Sequence, residues 1–146
     1  LETYSLALQL NLLSTIRMCK ELVPAMQERG WGRGIAITSS TVREPSPVLI
    51  PSTTARAGLT GFLKTMATEV APDGVTVNSV QPGAHATDRL AEIYDDLEAV
   101  AASVPVRRLG DPDDFGRVVA FLCSESARSI TGAALPVEGG SLRAIQ

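Results

Sequence analysis

Two periodicities alternate along this chain, and their order limits its possible folds more than any other feature. Long stretches with apolar residues at helical spacing take turns with short runs of β-branched and small apolar residues. Leu8, Leu12, Ile16, Cys19, Val23 and Met26 predict a long amphipathic helix over 1–29, loosened near Pro24 and ended by Gly30-Trp31-Gly32. Residues 34–40, from Gly34 through Ile35 and Ile37 to Ser39 and Ser40, read as a strand buried on both faces and closing in hydroxyls. Pro45, Pro47 and Pro51 make the next segment a loop. Leu59, Phe62, Leu63, Met66 and Val70 then predict a second helix over 52–70, stopped at Pro72-Asp73-Gly74.

Residues 75–80 form a β-branched strand ahead of a Pro82-Gly83 turn. Residues 84–108 are polar and mixed, with only a weak helical pattern at Leu90, Ile93, Tyr94 and Leu97, and read as a mobile lid. Asp111-Pro112-Asp113-Asp114 supplies a cap, a proline for the first turn and acid at the positive end of a third helix. Residues 133–137 are a last strand, whose Pro136 favours an edge. The order α-β-α-β-α-β implies a parallel sheet with crossover helices on both sides, a partial Rossmann-like doubly wound α/β fold.

Composition narrows the functions. The 146 residues, 45% apolar, suffice for one core and fall short of the two βαβ halves of a complete dinucleotide-binding domain. A net charge of -3, with Arg107-Arg108 as the one basic pair singled out, argues against nucleic acid. Cys19 and Cys123 lie in apolar helical patterns, which suits buried thiols in a reducing cytoplasm and no metal centre. No stretch matches a membrane span or a secretory signal. The first helix has no N-cap and the chain opens on Leu1, so the expectation is a piece of a longer protein.

Several stretches, in order, resemble the short-chain dehydrogenase/reductase family, especially its 3-oxoacyl-carrier-protein-reductase-like members. They are the 34–40 strand, the run Arg56-Ala-Gly-Leu-Thr-Gly-Phe62, and the segment from Glu69 through Asn78 to Pro82-Gly83. Pro105 to Asp114, Phe121 to Ser124, Ile130-Thr-Gly132 and Val137-Glu-Gly-Gly140 extend the match almost to the end. The resemblance implies the C-terminal half of such a domain, residues 1–146. The glycine-rich phosphate loop of the family would lie upstream, and no G-x-G-x-x-G occurs here. It also implies NAD or NADP as cofactor, a small carbonyl or alcohol substrate, and a homo-oligomer built through the helices 1–29 and 52–70.

Carried over residue by residue, Ser39 matches the serine that orients the substrate oxygen, and Asn11 matches a helix asparagine of the site. The family's tyrosine and lysine fall on Ser52 and Arg56, four residues apart on one helix face. Arg56 would also touch the cofactor. A tuned phenol moves a proton far more readily than an aliphatic hydroxyl, and a guanidinium is not interchangeable with an ammonium. Pro82, Gly83 and Thr87 resemble the segment that meets nicotinamide and phosphate. From the residues alone, Ser52 and Thr53 also suit capping hydroxyls, Arg56 a surface ion pair, and His85 a solvated loop histidine. Three functions stand: an oxidoreductase with an atypical site, a non-catalytic binding or assembly subunit, and a fragment with no function of its own.

Overall fold

The computed structural model describes residues 1–145. Three parallel strands, β1 (Gly32–Ile37), β2 (Val75–Pro82) and β3 (Ala134–Val137), stand in the order β1-β2-β3. Gly32 pairs with Val75 through to Ile37 with Val80, and Ser79 pairs with Ala134 through to Pro82 with Val137. The helices are α1 (Glu2–Leu8), α2 (Ser14–Glu28), α3 (Ile50–Val70), α4 (Asp88–Ile93), α5 (Leu97–Ser103) and α6 (Pro112–Leu122). None of the described helices is long and apolar enough to cross a membrane.

Strand β2 is buried on both faces, and its side chains divide by parity. Val75 and Val77 point into a core with Leu59, Leu63, Ala67 and Val70 of α3, packed against Leu12, Val23 and Met26. Val80 points the other way, to Leu122 and Ala127, with Phe115 and Val119 alongside. The sheet is therefore wound on both sides, as the alternating pattern requires. Pro136 sits in the edge strand β3, where the N–H it lacks has no ladder to break.

One polar side chain ties that edge down. Asn78, 1% exposed, donates through Nδ2 to the Ile130 carbonyl at 2.8 Å and accepts the Ala133 N–H at 3.0 Å. Thr131 Oγ1 accepts the Val77 N–H at 3.1 Å. The chain entering β3 thus has its backbone groups met by side chains before the ladder begins.

Boundaries and loops depart from the sequence expectation in three places. The first helix is loosened not at Pro24, which lies within α2, but at a π-helical stretch, Gln9–Leu13. There Asn11 Nδ2 donates to the Ala7 carbonyl at 3.1 Å, meeting a carbonyl of the preceding turn. Pro24 is exposed, so water can meet the carbonyl its missing N–H leaves open. The second helix begins at Ile50, with Pro51 in its first turn, where a missing N–H costs nothing. Within 84–108 lie α4 and α5, capped by Thr87 at 3.3 Å from the Leu90 nitrogen and by Asp96 at 2.9 Å from the Ala99 nitrogen. These helices are too short for their periodicity to stand out in sequence.

Gly74 closes the turn before β2 with φ of 73°, and a Cβ there would lie 2.4 Å from the Gly30 carbonyl oxygen. Gly61, inside α3, has open space where a Cβ would go. Gly74→Ala is expected to lower the unfolding free energy by about 2 kcal/mol or more, from left-handed strain plus the backbone clash. Gly61→Ala is expected to raise it by roughly 0.5–1 kcal/mol. Urea midpoints of the two variants, read side by side, check both signs.

Candidate active site

In a doubly wound sheet, the C-terminal ends of the parallel strands open a crevice where ligands bind. Ser39 lies at the end of β1, two residues past Ile37, and caps a short 3₁₀ turn, Ser40–Val42. Its Oγ accepts the Thr41 N–H at 3.1 Å and the Thr41 hydroxyl at 2.9 Å. Thr53, on α3, donates to Thr41 Oγ1 at 2.9 Å. A cavity of about 440 Å³ opens beside these groups. Ser39 and Thr41, Pro82, Gly83 and Thr87, and Ile93, Tyr94 and Val100 of the 84–108 segment line it together.

The turn after β2 is held tightly. Gly83 N–H donates to the Val137 carbonyl at 3.0 Å, and a Cβ at Gly83 would meet Glu138 Cβ at 2.6 Å. Only glycine allows the two chains to run this close. Beyond it, His85 and Gly110 form an isolated parallel bridge, with Ala86 N–H to the Gly110 carbonyl and Gly110 N–H to the Ala84 carbonyl, both 2.9 Å. His85 is half-buried, not solvated. Its ring meets Phe115 edge-on at 5.1 Å, and Nδ1 lies 3.2 Å from the Gly83 carbonyl.

Ser52 and Arg56 sit apart from this wall and do not line the cavity. Arg56 Nε donates to Ser52 Oγ at 3.2 Å, and Nη1 donates to the Ile37 carbonyl at 2.8 Å. The guanidinium thus joins the start of α3 to the end of β1, just ahead of Ser39. Burial pushes its pKa below the usual arginine value, yet an arginine stays charged at any ordinary pH. Neither Ser52 nor Thr53 caps the helix, because α3 begins before them and their hydroxyls bond Arg56 and Thr41. Asn11 is on another element, the π-helical stretch whose Leu12 packs on Gly58 of α3, and it does not line the cavity.

The sequence reasoning passed over Thr41, Arg43 and Gln81, and read Thr53 as a helix cap. Arg43 Nε donates to Gln81 Oε1 at 2.7 Å, and Nη2 to the Ala134 carbonyl at 2.6 Å, lacing the loop to β2 and β3. Gln81 is fully buried, and its Nε2 has no hydrogen-bond partner among the described residues; the same holds for Thr38 Oγ1. A glutamine in the buried strand β2, beside Thr76, Asn78 and Ser79, was the available signal. No group of three or more His, Cys, Asp or Glu placed to hold a metal occurs among the described residues.

A parallel α/β sheet with a serine and a Pro-Gly turn at its C-terminal ends defines a Rossmann-like class of ligand-binding domain. Residues 1–141 match the family described as enoyl-(acyl carrier protein) reductase. The chain is 40% identical over 131 residues to the acetoacetyl-CoA reductase of Cupriavidus necator, covering 89% of this chain and 53% of the relative. It is 40% identical over 140 residues to the 3-oxoacyl-(acyl-carrier-protein) reductase of Vibrio cholerae, covering 95% and 57%. Its structure resembles that of YwfH, an NADPH-dependent reductase involved in bacilysin biosynthesis. There the TM-score is 0.87 and the identity 29%, over 91% of this chain and 56% of that one. This chain belongs to the short-chain dehydrogenase/reductase family, among its 3-oxoacyl-carrier-protein-reductase-like members. It spans about half the length of the relatives it matches.

The Arg56 bridge gives a direct test of how α3 is seated on β1. Arg56→Met keeps an unbranched stem of four heavy atoms and removes both donors. It is expected to cost about 1–2 kcal/mol of stability, the usual scale for charged hydrogen bonds that are partly solvated. Denaturant titration of the variant reads that loss.

Proposed function

We propose that this chain forms the substrate-facing part of an NAD(P)-dependent oxidoreductase acting on a small carbonyl or alcohol compound. The observation that carries this reading is Ser39, set just past the C-terminal end of a parallel strand on a cavity that Pro82, Gly83 and Thr87 also line. The Ser39 hydroxyl donates a hydrogen bond to the substrate oxygen, where negative charge develops. Arg56, half-buried and cationic, adds positive potential behind it, and Ser52 or a water moves the proton.

The residues that would hold the nicotinamide end are Pro82, Gly83, Thr87 and Arg56. When bound, the nicotinamide supplies or takes up the hydride. The fit rests on the Pro82-Gly83 turn and Thr87, which line the cavity; Thr38 Oγ1 and Gln81 Nε2, buried polar atoms without partners among the described residues, do not line it. The diphosphate needs a cradle of backbone N–H groups that these 146 residues do not supply as a G-x-G-x-x-G loop.

Segment 84–108 acts as the lid and sets substrate choice, a role supported by Ile93, Tyr94 and Val100, which line the same cavity as Ser39. Leu6 and Leu10, then Met18 and Leu22, leave two apolar pairs exposed along the first helical stretch. They support a homo-oligomer through helices 1–29 and 52–70. The free thiols Cys19 and Cys123 support a reducing, cytoplasmic setting.

A second reading, a non-catalytic binding or assembly subunit, is favoured by one observation: Ser52 and Arg56 bond each other and the Ile37 carbonyl outside the cavity. Turnover by the intact protein that contains this chain separates the two, with acetoacetyl-CoA and NADH or NADPH as first probes. On the oxidoreductase reading, Ser39→Ala lowers kcat/KM by roughly 10²-fold, the scale of losing one donor to a developing oxyanion. Ser52→Tyr combined with Arg56→Lys raises kcat by on the order of tenfold, since it restores a tunable proton donor. A protein that binds neither nucleotide rules the oxidoreductase out.

A further inference from the structure

The His85 ring is held on three sides. Its Nδ1 lies 3.2 Å from the Gly83 carbonyl oxygen, which only accepts, so Nδ1 carries the proton in that bond. The far edge of the ring lies against the Gly110 backbone. A Cβ on Gly110 would stand 2.5 Å from Cδ2 and 2.6 Å from Nε2, so glycine is what leaves this slot open. Phe115, near the start of α6, meets the ring edge-on at 5.1 Å.

The Nδ1 bond ends on a residue with little stiffness of its own, since glycine has the widest backbone freedom of any residue. Gly83 directly follows β2, and its N–H donates to the Val137 carbonyl of β3 at 3.0 Å. With the imidazole on its carbonyl, both backbone polar groups of Gly83 are engaged. Pro82, Gly83 and His85 all line the cavity that Ser39 lines.

We propose that His85 is a positioning residue, whose Nδ1–H fixes the Gly83 carbonyl and so sets the Pro82-Gly83 turn to receive the nicotinamide end of the nucleotide. The nucleotide part rests on the oxidoreductase reading of the cavity. The imidazole pin on Gly83 does not. Ring and donor have separate tasks here: the ring fills the slot between Gly110 and Phe115, and the Nδ1–H alone holds the turn.

Two measurements on the intact protein that contains this chain test the pin. The first needs no nucleotide. Long-range proton–nitrogen NMR spectra of the imidazoles at alkaline pH, with His85 assigned by its loss in His85→Phe, give the tautomer of the neutral ring. The Nδ1–H form is expected, and a ring protonated at Nε2 alone overturns the pin.

The second measurement separates donor from ring. His85→Phe keeps an aromatic ring in the slot and removes the donor. His85→Asn keeps an amide donor close to the place of Nδ1 and removes the ring. Fluorescence titration with NADH and NADPH gives affinity, and denaturant midpoints give stability. His85→Phe is expected to weaken the better-bound nucleotide about tenfold, the scale of one lost hydrogen bond, with its midpoint little changed. His85→Gln, whose amide lies one bond further out, loses affinity in the same way. His85→Asn lowers the midpoint and keeps the affinity within about threefold. A merely structural histidine gives the other pattern, affinity falling with the midpoint, and that pattern overturns the proposal. So does an affinity unchanged in both His85→Phe and His85→Gln. An unaltered protein that binds neither nucleotide, with the Nδ1–H tautomer in place, counts against the oxidoreductase reading and leaves the pin standing.

Discussion

Everything in this fold hangs on the double burial of β2. Residues 75–81 are all buried, and the strand has parallel partners on both sides, so its backbone groups find their hydrogen bonds within the sheet. Its valines feed two separate cores by parity alone. The helices on either side are placed by that division, and the site is placed by the helices. Ser39, just past β1, and Pro82-Gly83, at the end of β2, reach the same cavity because neighbouring parallel strands end at about the same level.

The architecture was legible because burial imposes a pattern on residue type. A strand covered on both faces shows valines on both parities, and Val75, Val77 and Val80 say so even with Thr76, Asn78, Ser79 and Gln81 between them; a helix covered on one face shows Leu59, Leu63 and Val70 at the required spacing. What stayed hidden are features whose cause is not periodic. The π-helical stretch at Gln9–Leu13 depends on a side chain reaching one carbonyl, while the sequence drew attention to Pro24 instead. The caps of α4 and α5 were overlooked because each helix runs for barely two turns.

The site divides the same way. Ser39, Pro82, Gly83 and Thr87 were found by their place in the chain and do share a cavity. Ser52, Arg56 and Asn11 were singled out on the same grounds and lie elsewhere, bonded to each other or to nearby backbone. Thr41 was missed and Thr53 read as a cap, since nothing local to either one, twelve residues apart, announces a bond across the loop between them. Pairings of this kind come from how a turn and a helix happen to be juxtaposed, and a linear pattern carries no trace of that.

The bridge between His85 and Gly110 has an evolutionary consequence. It staples the two ends of the intervening segment together at the rim of the sheet, so the segment is a closed appendage whose base is independent of its contents. Lengthening such an appendage adds only a slowly growing closure entropy, about 0.6 kcal/mol for each doubling. Residues are expected to be inserted, deleted or exchanged most freely in its exposed part, ahead of Val104 and Val106, which pack on Gly139 just after β3 and fasten the end of the segment to the sheet. A scaffold built this way can acquire a new clientele of substrates by editing one stretch of chain, while its stability stays where the strands put it.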